Sequence, residues 1–395
     1  MAAAVVEVDA KNRQPWLDAA IVQAVALLVA VGVALVAGSL IAAGYGANPL
    51  DVYGAILEYS FDDASSFGAV LATATPLIFS ALALAVCFKA GLFNIGVEGQ
   101  FLFAMVIATA AALWLDFLPG AVHLLAVLVA AAVGGAAFAS VPAVLKVKTG
   151  AHEVVTTIMM NGIAVSFIAY ALNGPLKLSS LPTGTNADLR SDIFEQSALV
   201  PQLGGFLGIG ESAQLSWLFP LALVVAVAVW FLIKRMRLGY EARAVGASPG
   251  SARAGGIGIG SVQVKMFLIS GLLAGLVGMQ QLLVERGALV QNYQALLGFT
   301  GIAVAFLARN NPIGIVVAAI VWSILSRGDT AVQLQAGLPR EFVIILQGIL
   351  ILSVVIVYEI AARRLTQRQL QRAALEDDES DTDASVDIAI SEETI

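Results

Sequence analysis

The sequence predicts an all-α fold, a polytopic transmembrane helical bundle of about ten spans. Three observations carry this. Hydrophobic residues make up 59% of the chain and charged residues only 12%, too few to clothe a soluble chain of this length. Apolar stretches near the ~20 residues needed to cross a bilayer recur along it. Lysines and arginines gather at the ends of several of these stretches, where they set orientation.

The elements follow in order. Residues 1–16 form a short N-terminal segment with Lys11 and Arg13. The next stretch, Leu17–Ala43, is too long for a signal-peptide core and reads as an uncleaved anchor. An acidic loop, Gly44–Gly68, carries Asp51, Glu58, Asp62 and Asp63 without a base. Val70–Phe88 is the second span, interrupted at Pro76. Phe101–Leu115 and Ala121–Leu145 follow, separated by a Leu118–Pro119–Gly120 turn. Gly134 and Gly135 in the latter favour close helix packing. Lys146 and Lys148 close it, and Val154–Leu172 comes next.

A long polar loop covers Asn173–Leu215, with Pro175, Pro182 and Pro201. Ser216–Ile233 is a span that ends in Lys234, Arg235 and Arg237. The last four apolar segments are Lys265–Val284, Leu296–Ala308, Ile313–Leu325 and Phe342–Ile360. The transmembrane domain is therefore 17–360, and the lipid bilayer is its surroundings. The 361–395 segment opens with Arg363, Arg364, Arg368 and Arg372, and nine acids and no base follow at 376–395. Such a tail is too charged to fold alone and is expected to stay disordered. The chain's net charge is −7, so without those nine acids the remainder carries +2. Placing the basic clusters inside gives a multi-pass protein of the cell membrane with both termini cytoplasmic. The 44–68 and 173–215 loops are then external.

Several chemistries find no support. There is no phosphate-binding Gly-x-x-x-x-Gly-Lys loop. His123, His152 and the lone Cys87 have no metal-ligand spacing. The glycines between 255 and 260 do not follow a strand, so they read as a membrane-surface turn. No serine has a nucleophile-elbow context. The chain is expected to be no enzyme, to bind no cofactor or metal itself, and to take no nucleic acid.

Polar residues inside apolar surroundings are the remaining signal. Lys89–Gln100 carries Asn94, Glu98 and Gln100 with Gly91, Gly96 and Gly99. Two readings stand: a polar turn at the membrane surface, or a broken helix near 89–100 facing protein or a polar path. Glu153, Thr156, Thr157 and Asn161 fall near one helical face. The threonines have a plain reading as side chains bonded back to their own helix. Thr300 and the run Arg309–Asn310–Asn311–Pro312 also stand out, the run reading most simply as a polar turn before a span.

Taken together, five stretches resemble the permease subunits of bacterial and archaeal ABC importers of the nucleoside and simple-sugar type. These permeases are more distantly similar to the branched-chain amino-acid permeases. The stretches are Phe88–Gln100, Glu153–Asn161, Arg243–Ile257, Gly298–Gly314 and Gln347–Leu352. The first and fourth are the most specific. His152 stands where the family more often has Asn, and Thr300 where it often has Asp.

The resemblance implies one permease subunit of an ATP-driven importer for a small polar solute, nucleosides first and simple sugars as the alternative. A gradient-driven secondary transporter is the alternative from another class. The implied partners are ABC ATPase subunits, which bind the ATP, a second permease subunit and an extracellular substrate-binding lipoprotein. Phe93, Asn94, Glu98, Gln100, Glu153, Thr157, Asn161 and Thr300 are the candidates for the translocation path or its support. For Glu98, lining the path and locking a helix break are both open. The loop 234–264 would hold the helix that couples to the ATPase, with Glu241, Arg243, Gly246, Arg253 and Gly255 as its candidates.

Overall fold

A computed structural model describes residues 15–178, 189–208, 213–291, 293, 295–360, 363 and 367. The N-terminal fourteen residues, the middle of the 173–215 loop and the acidic tail lie outside the described residues. So do Arg364 and Arg368. By internal contacts the chain divides into two units, residues 50–343 and a second formed by 1–49 with 344–395.

The second unit holds α1 (Pro15–Gly44). It also takes in most of α13 (Glu341–Ile360), which begins in the larger unit.

The larger unit contains the rest. Its helices are α2 (Pro49–Phe61), α3 (Ala64–Lys89), α4 (Val97–Trp114), α5 (Gly120–Thr149) and α6 (Glu153–Asn173). These are followed by α7 (Leu218–Arg235), α8 (Arg237–Ala247), α9 (Pro249–Ala254), α10 (Ile259–Gly275), α11 (Leu297–Leu307) and α12 (Pro312–Ala336). Helices α3, α4, α5, α6, α7, α12 and α13 are each long and apolar enough to cross a membrane. With α1 and the shorter apolar helices α10 and α11 they account for the ten apolar segments read from the sequence.

Two local expectations are corrected. The acidic 44–68 stretch is not a loop, because α2 occupies most of it. Val52, Ala55, Ile56 and Ser60 turn one face of α2 inward, at the three- and four-residue spacing of an amphipathic helix. Pro76 does not interrupt its span: α3 runs through it. A break there would leave backbone groups bare in an apolar core, and α3 is buried almost throughout from Ala74 to Cys87. Beyond α10 the chain loosens into turns and then a π-helical turn, Gln281–Arg286.

Helix ends follow local chemistry. The Asp63 carboxylate accepts the Ser66 N–H at 2.6 Å and starts α3. Asn311 caps α12 by accepting from the Ile313 N–H at 3.1 Å, with Pro312 at the first helical position. Gly150 and Gly337 end α5 and α12 in the left-handed conformation.

Packing centres on α3, against which α7, α10, α11 and α12 are laid. Helix α5 lies tightly against α10. Ala131, Gly135 and Ala139 recur every fourth residue and face Gly271 and Gly275. A Cβ on Gly271 would fall 2.5 Å from that of Ala139 and 2.6 Å from the Gly135 carbonyl oxygen. Small residues let these backbones touch, the usual basis of helix association in a membrane.

Candidate functional site

The site is built on the break between α3 and α4. Helix α3 stops at Lys89 and α4 starts at Val97. The seven-residue turn between them does not lie on a bare surface, because Leu92 and Asn94 are buried. Gly91 has φ +68, a conformation open to glycine at little cost.

Buried polar groups in this turn are satisfied by one another. The side-chain amides of Asn94 and Gln100 exchange two hydrogen bonds, each 3.0 Å. Asn94 Nδ2 also donates to Ser270 Oγ on α10 at 2.9 Å. Ser270 in turn donates to the Ala83 carbonyl on α3 at 2.7 Å. Asn94 Oδ1 accepts the Gly96 N–H at 3.1 Å. Asn161 on α6 closes the other side. It accepts the Gly99 N–H at 2.8 Å and donates to the Ile95 carbonyl at 3.1 Å. Helices α3, α4, α6 and α10 thus meet at one knot, buried at Asn94, Gln100 and Ser270 and half-buried at Asn161.

Glu98 reaches in a further direction. Its Oε1 accepts the Leu296 N–H at 2.7 Å and its Oε2 the Gly298 N–H at 2.8 Å. Leu296 has φ 70, and α11 begins immediately after it. The carboxylate therefore holds the start of a short helix whose first amide groups lack internal partners. Ser80 Oγ on α3 donates to the Leu297 carbonyl at 3.0 Å at the same place. Burial and the Glu98 charge push the nearby Tyr293 phenol up.

The remaining sequence candidates lie around this centre. Thr157 packs against Gly96, but its hydroxyl donates back to the Glu153 carbonyl at 2.7 Å. Glu153 is buried and forms an ion pair with Lys146 at 2.6 Å. Phe93 lies tilted against Phe88, ring centres 5.0 Å apart, and Phe88 stacks on Phe306 at 5.3 Å. Thr300 donates to the Leu296 carbonyl at 2.8 Å. These four residues are not part of the amide knot.

The 234–264 stretch holds α8 and α9 between the end of α7 and the start of α10. Arg237 and Glu241 pair at 2.7 Å along α8. The Arg243 guanidinium donates to the Ile233 carbonyl at the end of α7, where backbone oxygens lack helical partners. Gly246 abuts the end of α3: a Cβ there would lie 2.5 Å from the Lys89 carbonyl oxygen and 3.0 Å from the Gly91 nitrogen. Arg253 is exposed in the last turn of α9, and Gly255 caps that helix. Lys234, Arg243 and Arg309 come near enough to Lys89 to act on its charge, so this end of the bundle is basic.

The sequence reading missed Ser270 and Ser80, which gave no signal beyond an isolated serine in an apolar run. It also missed Gln280, which accepts from Ser216 Oγ and donates to the Gln214 carbonyl, each at 2.9 Å. Among the described residues, no three His, Cys, Asp or Glu side chains gather as metal ligands. The arrangement is a mechanical one, a buried polar joint that ties a helix break to a second short helix.

Comparison with known proteins is consistent with this setting. Residues 66–355 match the family described as branched-chain amino acid transport system / permease component. The guanosine ABC transporter permease protein NupP of Bacillus subtilis is 35% identical over 84% of this chain and 93% of its own length. The glucose ABC transporter permease protein TsgB13 of Haloferax volcanii is 31% identical, over 88% of this chain and 90% of its own. The nucleoside ABC transporter permease protein NupB of Lactococcus lactis is 28% identical over 88% and 93% respectively. No solved structure matches the chain.

Proposed function

Because the chain belongs to the branched-chain amino acid transport system / permease component family, we propose that it is the membrane-spanning permease of an ATP-driven importer that carries nucleosides. The observation that carries this reading is the 35% identity, across nearly the whole length of both chains, to a guanosine permease. A second such relative is a nucleoside permease. The secondary reading is a simple sugar, favoured by the 31% identity to a glucose permease.

In this reading ATPase subunits hydrolyse ATP on the cytoplasmic side and dock at the basic end, where α8 and α9 lie. A second permease chain completes the core, and an external lipoprotein delivers the solute. Both termini are cytoplasmic. The amide knot and the Glu98 clamp support the path by keeping polar groups satisfied where the helices are interrupted, before α4 and before α11.

The test is uptake of labelled guanosine and labelled glucose by vesicles holding the reconstituted complex, with and without ATP. ATP-dependent guanosine uptake is the expected result. Uptake of glucose alone would correct the solute and keep the importer. Uptake by this chain alone, driven by an ion gradient, would overturn the reading.

A further inference from the structure

Beside the Arg243 side-chain bond to Ile233, helix α8 meets the transmembrane bundle backbone to backbone at two places. At one end Gly239 lies against the last turn of α7, where a Cβ would come 2.6 Å from the Ile233 carbonyl oxygen. At the other end Gly246 lies against Lys89 and Gly91, and a Cβ on Gly91 would in turn sit 3.3 Å from the Gly246 Cα. Two glycine backbones are thus in contact, with no flexible side chain between them to absorb a shift. Close-packed backbones transmit displacement instead of damping it.

The turn that receives Gly246 is also the turn that carries the polar joint. Three residues beyond Gly91 is Asn94, bonded to Gln100 and Ser270. Four residues further is Glu98, which holds Leu296 and Gly298 at the start of α11. A continuous chain of contacts therefore runs from α8 through Gly91 to α11.

We propose that the Gly246–Gly91 backbone contact delivers movement of α8 to the Glu98 clamp on α11. Both glycines are then positioning residues for coupling ATP hydrolysis to solute passage. This rests on the importer reading above. It adds which two atoms' worth of space carries the coupling and which helix receives it.

The test uses the full complex with its ATPase subunits, in vesicles. Gly246→Ala places a methyl group against backbone at 2.5 Å. Gly120→Ala is the control, since residue 120 lies outside α8 and α9, at the start of α5, and nothing lies within 4 Å of its Cβ position. The expected result is that Gly246→Ala lowers guanosine taken up per ATP hydrolysed by about tenfold. The ratio is read in complexes that assemble, and Gly120→Ala behaves as wild type. A wild-type ratio in an assembled Gly246→Ala complex overturns the inference and leaves the importer reading intact. Absence of ATP-dependent uptake in the wild type overturns both.

Should Gly246→Ala fail to assemble, hydrogen exchange in the wild-type complex decides. A non-hydrolysable ATP analogue is expected to change protection at residues 90–92 and 296–298 together. A change at neither, or at 296–298 alone, overturns the proposal.

Discussion

The Glu98 carboxylate and the Gly298 amide lie 200 residues apart in the chain and 2.8 Å apart in space. A Cβ on Gly298 would sit 2.5 Å from the Glu98 nitrogen, so contact is possible only because residue 298 has no side chain. Both carboxylate oxygens are occupied, since Leu296 donates to the other. Hydrogen bonds to a charged acceptor contribute about 1.5–3 kcal/mol each when buried. Glu98→Ala should therefore destabilise the solubilised protein by about 3 kcal/mol, read as a lowered melting temperature. Glu98→Gln keeps one acceptor and turns an NH₂ toward a backbone N–H. It should assemble, with uptake reduced about tenfold. Full uptake in Glu98→Gln would mean the clamp is dispensable.

The α5–α10 seam gives a prediction about stability alone. Gly271→Ala drives a methyl group into Ala139 and the Gly135 carbonyl. Neither is the end of a flexible side chain. The cost should be about 1–3 kcal/mol. Gly162→Ala, on α6 with nothing within 4 Å, should leave thermal stability unchanged. A matched pair of melting curves checks this, and equal midpoints would contradict the packing argument.

How much of this was legible in the sequence depends on the range of the interaction. The apolar segments were readable because span length and composition are local properties. Gly134 and Gly135 announced a close helix contact for the same reason, although their partners Ile107 and Gly271 were not visible. The α2 helix was hidden because Asp51, Glu58 and burial confined to one helical face replaced the apolar run that marks a span. Asn94, Glu98, Gln100 and Asn161 stood out as polar residues in apolar company, but nothing local says that Glu98 binds Leu296. That pairing is fixed by tertiary packing of α4 against α11. Ser270 was unreadable for the converse reason: a serine in a membrane span usually bonds its own helix, and this one bonds Ala83 and Asn94.

The Asn94–Gln100–Ser270 knot predicts a graded series. Ser270→Ala removes an acceptor from Asn94 Nδ2 but leaves the amide pair, and should cost about 1 kcal/mol. Asn94→Asp is harsher. It replaces the NH₂ that donates to Gln100 and Ser270 with an oxygen, and places a charge among buried groups. It should cost about 3 kcal/mol or prevent assembly. A double mutant no worse than Asn94→Asp alone would show that Ser270 acts through Asn94.

The Lys146–Glu153 pair joins the end of α5 to the start of α6 across a short turn. Lys146 retains 26% side-chain exposure and Glu153 only 9%, so the two losses are unequal. Removing Lys146 strands a mostly buried carboxylate, whereas Glu153→Gln leaves a lysine that can reach water. Lys146→Ala should therefore destabilise more, by about 1 kcal/mol after allowance for screening. Exchanging the two, Lys146→Glu with Glu153→Lys, should recover part of the loss, as a double-mutant cycle in thermal stability would read.

Thr300 offers a test of solute choice separate from the clamp. Among the described residues its hydroxyl is engaged only with the Leu296 carbonyl in the first turn of α11, the turn that Glu98 holds. Thr300→Asp loses that donor but adds a negative charge near a helix N-terminus, where the helix dipole favours it by about 0.3–1 kcal/mol. The fold should tolerate the change. What should move is the ratio of guanosine to glucose uptake, because a carboxylate accepts hydrogen bonds from ribose or sugar hydroxyls that a back-bonded threonine does not. Measured in one vesicle preparation with both labels, the ratio should shift about severalfold with assembly unchanged. An unaltered ratio in a fully assembled complex would place Thr300 away from the solute and confine its role to the first turn of α11.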